Sequence, residues 1–212
     1  MSTRPPGAPE LASTEPRTAA PAAPRRYGLV RLVLSDLAAK AEWCYGSRRW
    51  PAVVKVLLTD GTPAMIWYRL MQCARRWRLA PLEMCFNRLN TICCGCVIGR
   101  GAEFGPGFVL VHALGVVING NVRGGSGVKI EHQVTIGAEK RQSPVIGNDV
   151  FLGAGAKIIG AVRIGDGAKI GANAVVISDI PAGATAVGVP ARVVRSGPGP
   201  DVETGPAPGG ER

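Results

Sequence analysis

The sequence predicts a mainly β fold, a triangular column of parallel β-coils preceded by a short α-helical segment. Three observations predict it. Stepping by six from Ile98, the residues are Ile98, Phe104, Leu110, Val116, Val122, Val128, Val134, Lys140, Ile146, Leu152, Ile158, Ile164, Ile170 and Val176, and thirteen of the fourteen are large and apolar. Four places after each stands a mostly small residue, as in Ala102, Ser126, Ala156, Ala168 and Ala174. The chain also holds 29 glycines in 212 residues, about twice the usual share.

A spacing of six fits neither a helix face at 3.6 nor an alternating strand at 2. If each hexad makes one short strand and a corner, three hexads close a triangular turn. Each inward side chain then stacks on the one eighteen residues later, and every coil covers its neighbour's edge. Glycine relieves corners that need positive φ or close approach. Fourteen hexads make between four and five turns, with the phase unbroken across Lys140 and no net insertion. Hexapeptide coils of this kind form a left-handed parallel β-helix, an exception to the right-handed crossover rule.

The elements follow in order. Residues 1–26, rich in Pro and Ala with almost no large apolar side chains, bury too little to offset ordering entropy and are expected to be disordered. Residues 27–95 read as helices. Thr62-Pro63 reads as a cap followed by proline at the first helical position, with Trp67, Leu70, Met71 and Ala74 recurring behind it. Pro81 opens a second such pattern through Leu82, Cys85, Phe86 and Leu89, and Asp60-Gly61 separates the first from the earlier run PAVVKVLL. The β-helix domain spans 96–187, a C-terminal extension 188–196, and a second disordered tail 197–212.

Charge and composition narrow the function. Of the net +10, residues 27–96 carry ten Arg/Lys against four Asp/Glu, whereas 97–187 carry eight against six. No nucleic-acid motif accompanies this basic segment, so no nucleic-acid partner is expected. Packing against the β-helix or a sister subunit is the expected use of its apolar face, and a weak membrane-surface contact through the basic helices is a further expectation. Six cysteines at 44, 73, 85, 93, 94 and 96 show no paired CxxC and no histidine at zinc-ligand spacing. They read as small hydrophobes on apolar periodic positions of a reduced, cytoplasmic protein without a metal. No stretch reaches the ~18 apolar residues of a membrane span. GRGAEFGPG and GDGAKIG are spaced G-x-G-x-x-x-G, which makes them hexad corners rather than dinucleotide-binding loops.

The two histidines, His112 and His132, both lie in the β-helix. The interior is aliphatic, so chemistry must sit outside it, and His112, two residues after the inward Leu110, falls near a corner. The stretches VLVHALGVVINGN, KIEHQVTIGA, VIGNDVFLGAGAKIIG, IGANAVV and AVGVPARVV resemble the hexapeptide-repeat acyltransferases, most closely the serine acetyltransferase branch. The likeness covers roughly residues 65–195, including the helix beginning WYRL.

The resemblance implies that His112 is the general base, taking the proton of an acceptor hydroxyl as its oxygen attacks acetyl-CoA. Imidazole suits that task because its ordinary pKa lies near working pH. It further implies a homotrimer or dimer of trimers, with acetyl-CoA in the groove between neighbouring columns. The matching residues are Gly137, Ala138, Ala154, Lys157 and Ala172, with Lys169 and Arg192 toward the CoA phosphates. His132 and Arg141 are acceptor-site candidates.

The sequence departs from the family where serine is held. Val111 stands in place of an aspartate before the histidine, Val97 in place of the aspartate that orients it, and Ser143-Pro144 in place of a histidine-proline pair. The leading expectation is O-acetylation of L-serine for cysteine biosynthesis. The alternatives are O-acetylation of a sugar hydroxyl in an exopolysaccharide or surface glycan, and a non-catalytic β-helix trimer.

Overall fold

A computed structural model describes residues 27–196; the expectations for 1–26 and 197–212 lie outside the described residues. Four helices, α1 (Leu29–Tyr45), α2 (Trp50–Val56), α3 (Thr62–Arg76) and α4 (Ala80–Cys94), precede fifteen short strands. The first face of the column stacks β1 (Val97–Ile98), β4 (Val117–Ile118), β7 (Thr135–Gly137), β10 (Lys157–Ile159) and β13 (Val175–Val176). The second stacks β2 (Glu103–Phe104), β5 (Arg123–Gly124), β8 (Val145–Ile146) and β11 (Arg163–Ile164). The third stacks β3 (Val109–Leu110), β6 (Lys129–Ile130), β9 (Phe151–Leu152), β12 (Lys169–Ile170) and β14 (Thr185–Val187), and β15 (Arg192–Arg195) closes it antiparallel. The other pairings are parallel, which is the expected β-helix.

Inside the column the register differs from an uninterrupted count of six. Ile98 stacks on Ile118, then Ile136, Ile158 and Val176. Two extra residues therefore enter between Leu110 and Ile118, and four between Ile136 and Ile146, together one hexad, so the series falls back into phase. Between the two slips the strand-centred inward residues are Ile118, Gly124, Ile130 and Ile136, and Val116, Val122, Val128 and Val134 occupy the corner position two residues earlier. All four valines are nonetheless fully buried. Both positions of a hexad face the core, so a slip of two leaves the apolar pattern looking intact.

The helices close the first coil. Ala64, Met65, Tyr68 and Met71 of α3 join the column's core beside Phe104 and Phe108. The Tyr68 hydroxyl donates to Ala102 O and accepts from Phe104 N–H, both at 3.1 Å. A buried ion pair ties α1 to α3, with Arg69 Nε 2.6 Å from Asp36 Oδ2. Arg69 also donates to Phe104 O and Gly105 O, while Asp36 accepts from Phe108 N–H. Every polar atom of the pair thus has a partner, the condition under which a buried pair is tolerated. α1 lies along the third face, where Trp43 stacks on Phe151 with ring centroids 5.3 Å apart.

Local details depart from the sequence expectation. Gly61, in the left-handed region, caps α3, and Thr62 is its first residue, its hydroxyl donating back to Val56 O. The inward face of α3 centres on Met65, Tyr68 and Met71, one step round from Trp67 and Leu70. α4 buries Glu83 and Asn90, whereas Leu82 and Cys85 are exposed, because its inner side answers polar groups: Glu83 meets Arg75, and Asn87 donates to Ile98 O. Of the six cysteines only Cys96 is buried, while Cys44, Cys85 and Cys93 are exposed; cysteine spacing follows the helices more loosely than core packing requires. Among the described residues no helix is long and apolar enough to cross a membrane.

Candidate active site

The two extra segments each carry a sequence-predicted candidate, His112 in the first and Arg141 in the second. The first, after Leu110, places His112 on the outer edge between the third and first faces, with about half of its side chain exposed. Its Nδ1 lies 3.2 Å from Oδ2 of Asp60 in the loop between α2 and α3. Asp60 is held in turn: its Oδ1 accepts from Gly61 N–H at 2.7 Å, and its main-chain carbonyl accepts from the Lys40 ammonium. Gly61 sits at φ 80°, and a Cβ there would lie 2.4 Å from Leu110 O. Glycine is required for that close approach, which brings Asp60 against the coil that bears the histidine. Lys40 has no exposed surface, and burial pushes its ammonium down to about 8.

Asp60 is the residue that sequence reasoning missed. It was visible only as half of an Asp-Gly separator, 52 residues before the histidine. Val97 and Val117 lie side by side on the first face, each about two-fifths exposed, and Leu114 is more exposed still. The surface beside His112 is therefore apolar where a carboxylate was looked for, and the carboxylate comes from the helical segment.

The edge continues upward from His112. Gln133 N–H donates to Leu114 O, Gly155 N–H to His132 O, and Asn173 N–H to Ala154 O. These rungs stack the corners of Leu114, Gln133, Gly155 and Asn173, so His112, two residues before Leu114, shares one edge with His132, Ala154 and Ala172. The rings of His112 and His132 are 6.0 Å apart, nearly edge-on, and His132 Nδ1 is 3.7 Å from Glu131 Oε2. Lys157, opening β10, reaches back to Gln133 O and Gly155 O. The methyl side chains of Ala154 and Ala172 leave the edge above the histidines open, which fits a thin, extended, amide-bearing arm.

The remaining candidates lie elsewhere. Gly137 ends β7, and Ala138 begins the second extra segment on the opposite edge of the first face. There Glu139 and Gln142 exchange backbone hydrogen bonds, and Lys140 and Arg141 take positive φ at 47° and 67°. A cavity of about 260 Å³ opens beside Glu139, Lys140, Gln142 and Ile177. Lys169 lies on the third face and Arg192 begins β15, the second strand of the C-terminal hairpin. Within one chain Arg141 and His112 occupy different edges. Among the described residues no cluster of metal-ligating side chains occurs.

Comparison with known proteins agrees with the fold. The model of the bacterial transferase hexapeptide (six repeats) matches residues 143–178. The chain is 37% identical over 172 residues to the serine acetyltransferase of Helicobacter pylori strain 26695, covering 79% of this chain and 95% of that one. It is 39% identical over 129 residues to the serine acetyltransferase of Mycobacterium tuberculosis, covering 59% and 52%. Among solved structures, a serine acetyltransferase in complex with CoA superposes with a TM-score of 0.72 at 30% identity, covering 78% of this chain and 69% of that one. Soybean serine acetyltransferase complexed with serine gives 0.71 at 34%, covering 78% and 69%. The hexapeptide β-helix and these relatives define the class: this is an acetyl-CoA-dependent acyltransferase of the hexapeptide-repeat kind. Within that class the chain belongs to the serine acetyltransferase family.

Proposed function

We propose that this protein transfers the acetyl group of acetyl-CoA to the hydroxyl of L-serine, the step that commits serine to cysteine synthesis, with His112 as general base. The observation that carries the reading is the Asp60–His112 contact on an open edge, in a chain whose relatives are serine acetyltransferases. The carboxylate at Nδ1 selects the tautomer whose Nε2 is free to accept a proton. His112 Nε2 removes the hydroxyl proton as the oxygen attacks the thioester carbonyl, and Asp60 offsets the charge that arises on the ring. Alcohol oxygen is a poor nucleophile near neutrality, and a positioned base contributes about 10²–10⁴-fold.

Donor and acceptor meet where two columns abut in a homotrimer, or in a dimer of trimers. His112, His132, Ala154, Lys157 and Ala172 form one wall of the groove. Gly137, Ala138 and Arg141 of a second copy form the other, Arg141 toward the acceptor's carboxylate, with Lys169 and Arg192 toward the CoA phosphates. The separation of Arg141 and His112 within one chain supports this division. The reaction takes place in the cytoplasm, where acetyl-CoA is made.

One observation favours a second acceptor. Val97, Val117 and Leu114 give the surface beside His112 an apolar, uncharged wall, which suits a sugar ring better than an ammonium group. A thiol-release assay separates the readings: purified protein with acetyl-CoA and either L-serine or a panel of sugars and glycan fragments. Serine-dependent CoA release that His112→Ala abolishes supports the first reading, and release with sugars alone replaces it by the second. Absence of both release and acetyl-CoA binding leaves only a structural trimer.

A further inference from the structure

We propose that the turn between α3 and α4 docks on an anionic lipid surface, its aromatic and aliphatic side chains at the headgroup boundary and its arginines among the headgroups. The inference goes beyond the acetyl-transfer reading and does not depend on it. The sequence pointed to the basic helices in general; the fold singles out this turn.

Three observations converge. Arg75–Leu82, reading RRWRLAPL, are eight consecutive exposed residues, whereas Ala74 before them and Glu83 after them are buried. Trp77 is 72% exposed, and Leu79, Leu82 and Met84 are each about half exposed. The charge is also of one sign. From Gly61 to Ala102 the chain holds six arginines and a single acid, Glu83. Arg69 is buried against Asp36, and Glu83 is buried beneath Arg75, so this segment shows no exposed acid. Finally, Arg78 takes φ 58°, and Leu79 N–H donates back to Ala74 O at 2.9 Å. That is the left-handed position at which helices usually end on glycine, so a long cation stands where the backbone favours no side chain.

These features choose the partner. A second copy brings the same arginines and no exposed acid, so like charge opposes turn-to-turn association. A nucleic acid answers the arginines but offers Trp77, Leu79 and Leu82 no apolar phase. An anionic bilayer supplies both, a negative surface potential and a boundary at which such side chains leave water. Arg76 widens the surface. Its Nη1 donates to Tyr27 O at 2.8 Å, which sets the start of α1 beside the turn, where Val30 is exposed and Arg31 lies over the Tyr27 ring.

The test is co-sedimentation of the full chain with vesicles of phosphatidylcholine alone and of phosphatidylcholine mixed with phosphatidylglycerol, with tryptophan emission read in parallel. Binding is expected to the mixed vesicles only, weakening as salt is raised and shifting the emission to the blue. Arg78→Gln and Arg88→Gln are each expected to weaken it about fivefold. Arg78→Gly, which gives the left-handed position its usual residue, should weaken it equally while the urea midpoint holds or rises. Trp77→Ala is expected to remove the blue shift and to lower binding about tenfold. CoA release with a soluble acceptor should be unchanged in all four variants. Equal binding to both vesicles, binding to neither, or full binding by Trp77→Ala combined with Arg78→Gln would overturn the proposal. So would a changed oligomeric state in Trp77→Ala, which puts the turn between copies, or preference for poly(U) RNA over the mixed vesicles. A chain that binds the mixed vesicles but transfers no acetyl group would overturn the acetyl-transfer reading and leave this inference standing.

Discussion

The Lys40 ammonium, buried between α1 and the loop before α3, donates to the main-chain carbonyl of Asp60, the residue whose carboxylate meets His112. A charge from the first helix thus fixes the backbone under the second partner of the candidate base. Burial lowers the Lys40 pKa from 10.5 to about 8, and that links the support of the site to pH. Below pH 8 both folded and unfolded chains hold this proton, and the folded chain bears the full cost of the buried charge. Between about 8 and 10.5 the folded chain sheds the proton first, the unfolded state binds more protons, and stability rises with pH. At about 1.4 kcal/mol per pKa unit the rise is at most about 3–4 kcal/mol. Urea midpoints of wild type and Lys40→Met between pH 7 and 10.5 isolate it, because groups common to both chains cancel. The wild type is expected to gain stability over the variant across that window; parallel curves would refute the assignment.

Asp60→Asn keeps the size of the side chain and the Lys40 contact but removes the charge beside His112. Turnover is expected to fall by about tenfold or more, less than the 10²–10⁴-fold lost with the base, while acetyl-CoA binding is unchanged. Asp60→Glu should recover part of the rate. Initial rates of CoA release and equilibrium binding of acetyl-CoA measure both. An unaltered rate in Asp60→Asn would place the carboxylate outside the reaction.

Arg69 holds the helices on the first coil through Asp36 and two carbonyls. Arg69→Met leaves a buried carboxylate without its counter-charge and is expected to cost about 3–5 kcal/mol. Replacing both partners, as Asp36→Leu with Arg69→Met, should cost less than the single change. Urea unfolding of the three variants gives the comparison.

Phe104 and Gly124 face each other across adjacent coils, and a Cβ at Gly124 would lie 2.2 Å from Phe104 Cδ1. The ring of Phe104 fills the space of two inward positions. Gly124→Val alone should destabilise the column by about 1–3 kcal/mol through overpacking. With Phe104→Ile added, part of that loss should return, as a favourable coupling in a double-mutant cycle. Additive losses would show that the two sites do not share one space.

The β-helix was legible in the sequence because a large apolar residue at every sixth place is a local rule kept at thirteen of fourteen positions, and one break at Lys140 does not erase it. The corner position of His112 followed from the same count, since it needs only the distance from Leu110. The two slips of register were not legible. Val116 and Ile118 belong to one hexad and both face the core, so apolar spacing cannot tell which is strand and which is corner.

By itself the sequence determined that these coils stack into an aliphatic shaft with its chemistry on the outside, because repeated short-range spacing leaves the large apolar side chains no other place to be buried. Only the tertiary structure decided which carboxylate meets the histidine. Val97 and Val111 bring no charge to the column, and the charge comes instead from Asp60, 52 residues upstream of His112. No periodicity relates residues that far apart. What joins them is the packing of one loop, through a glycine that has no Cβ to keep it from Leu110 and a buried lysine beneath its carbonyl.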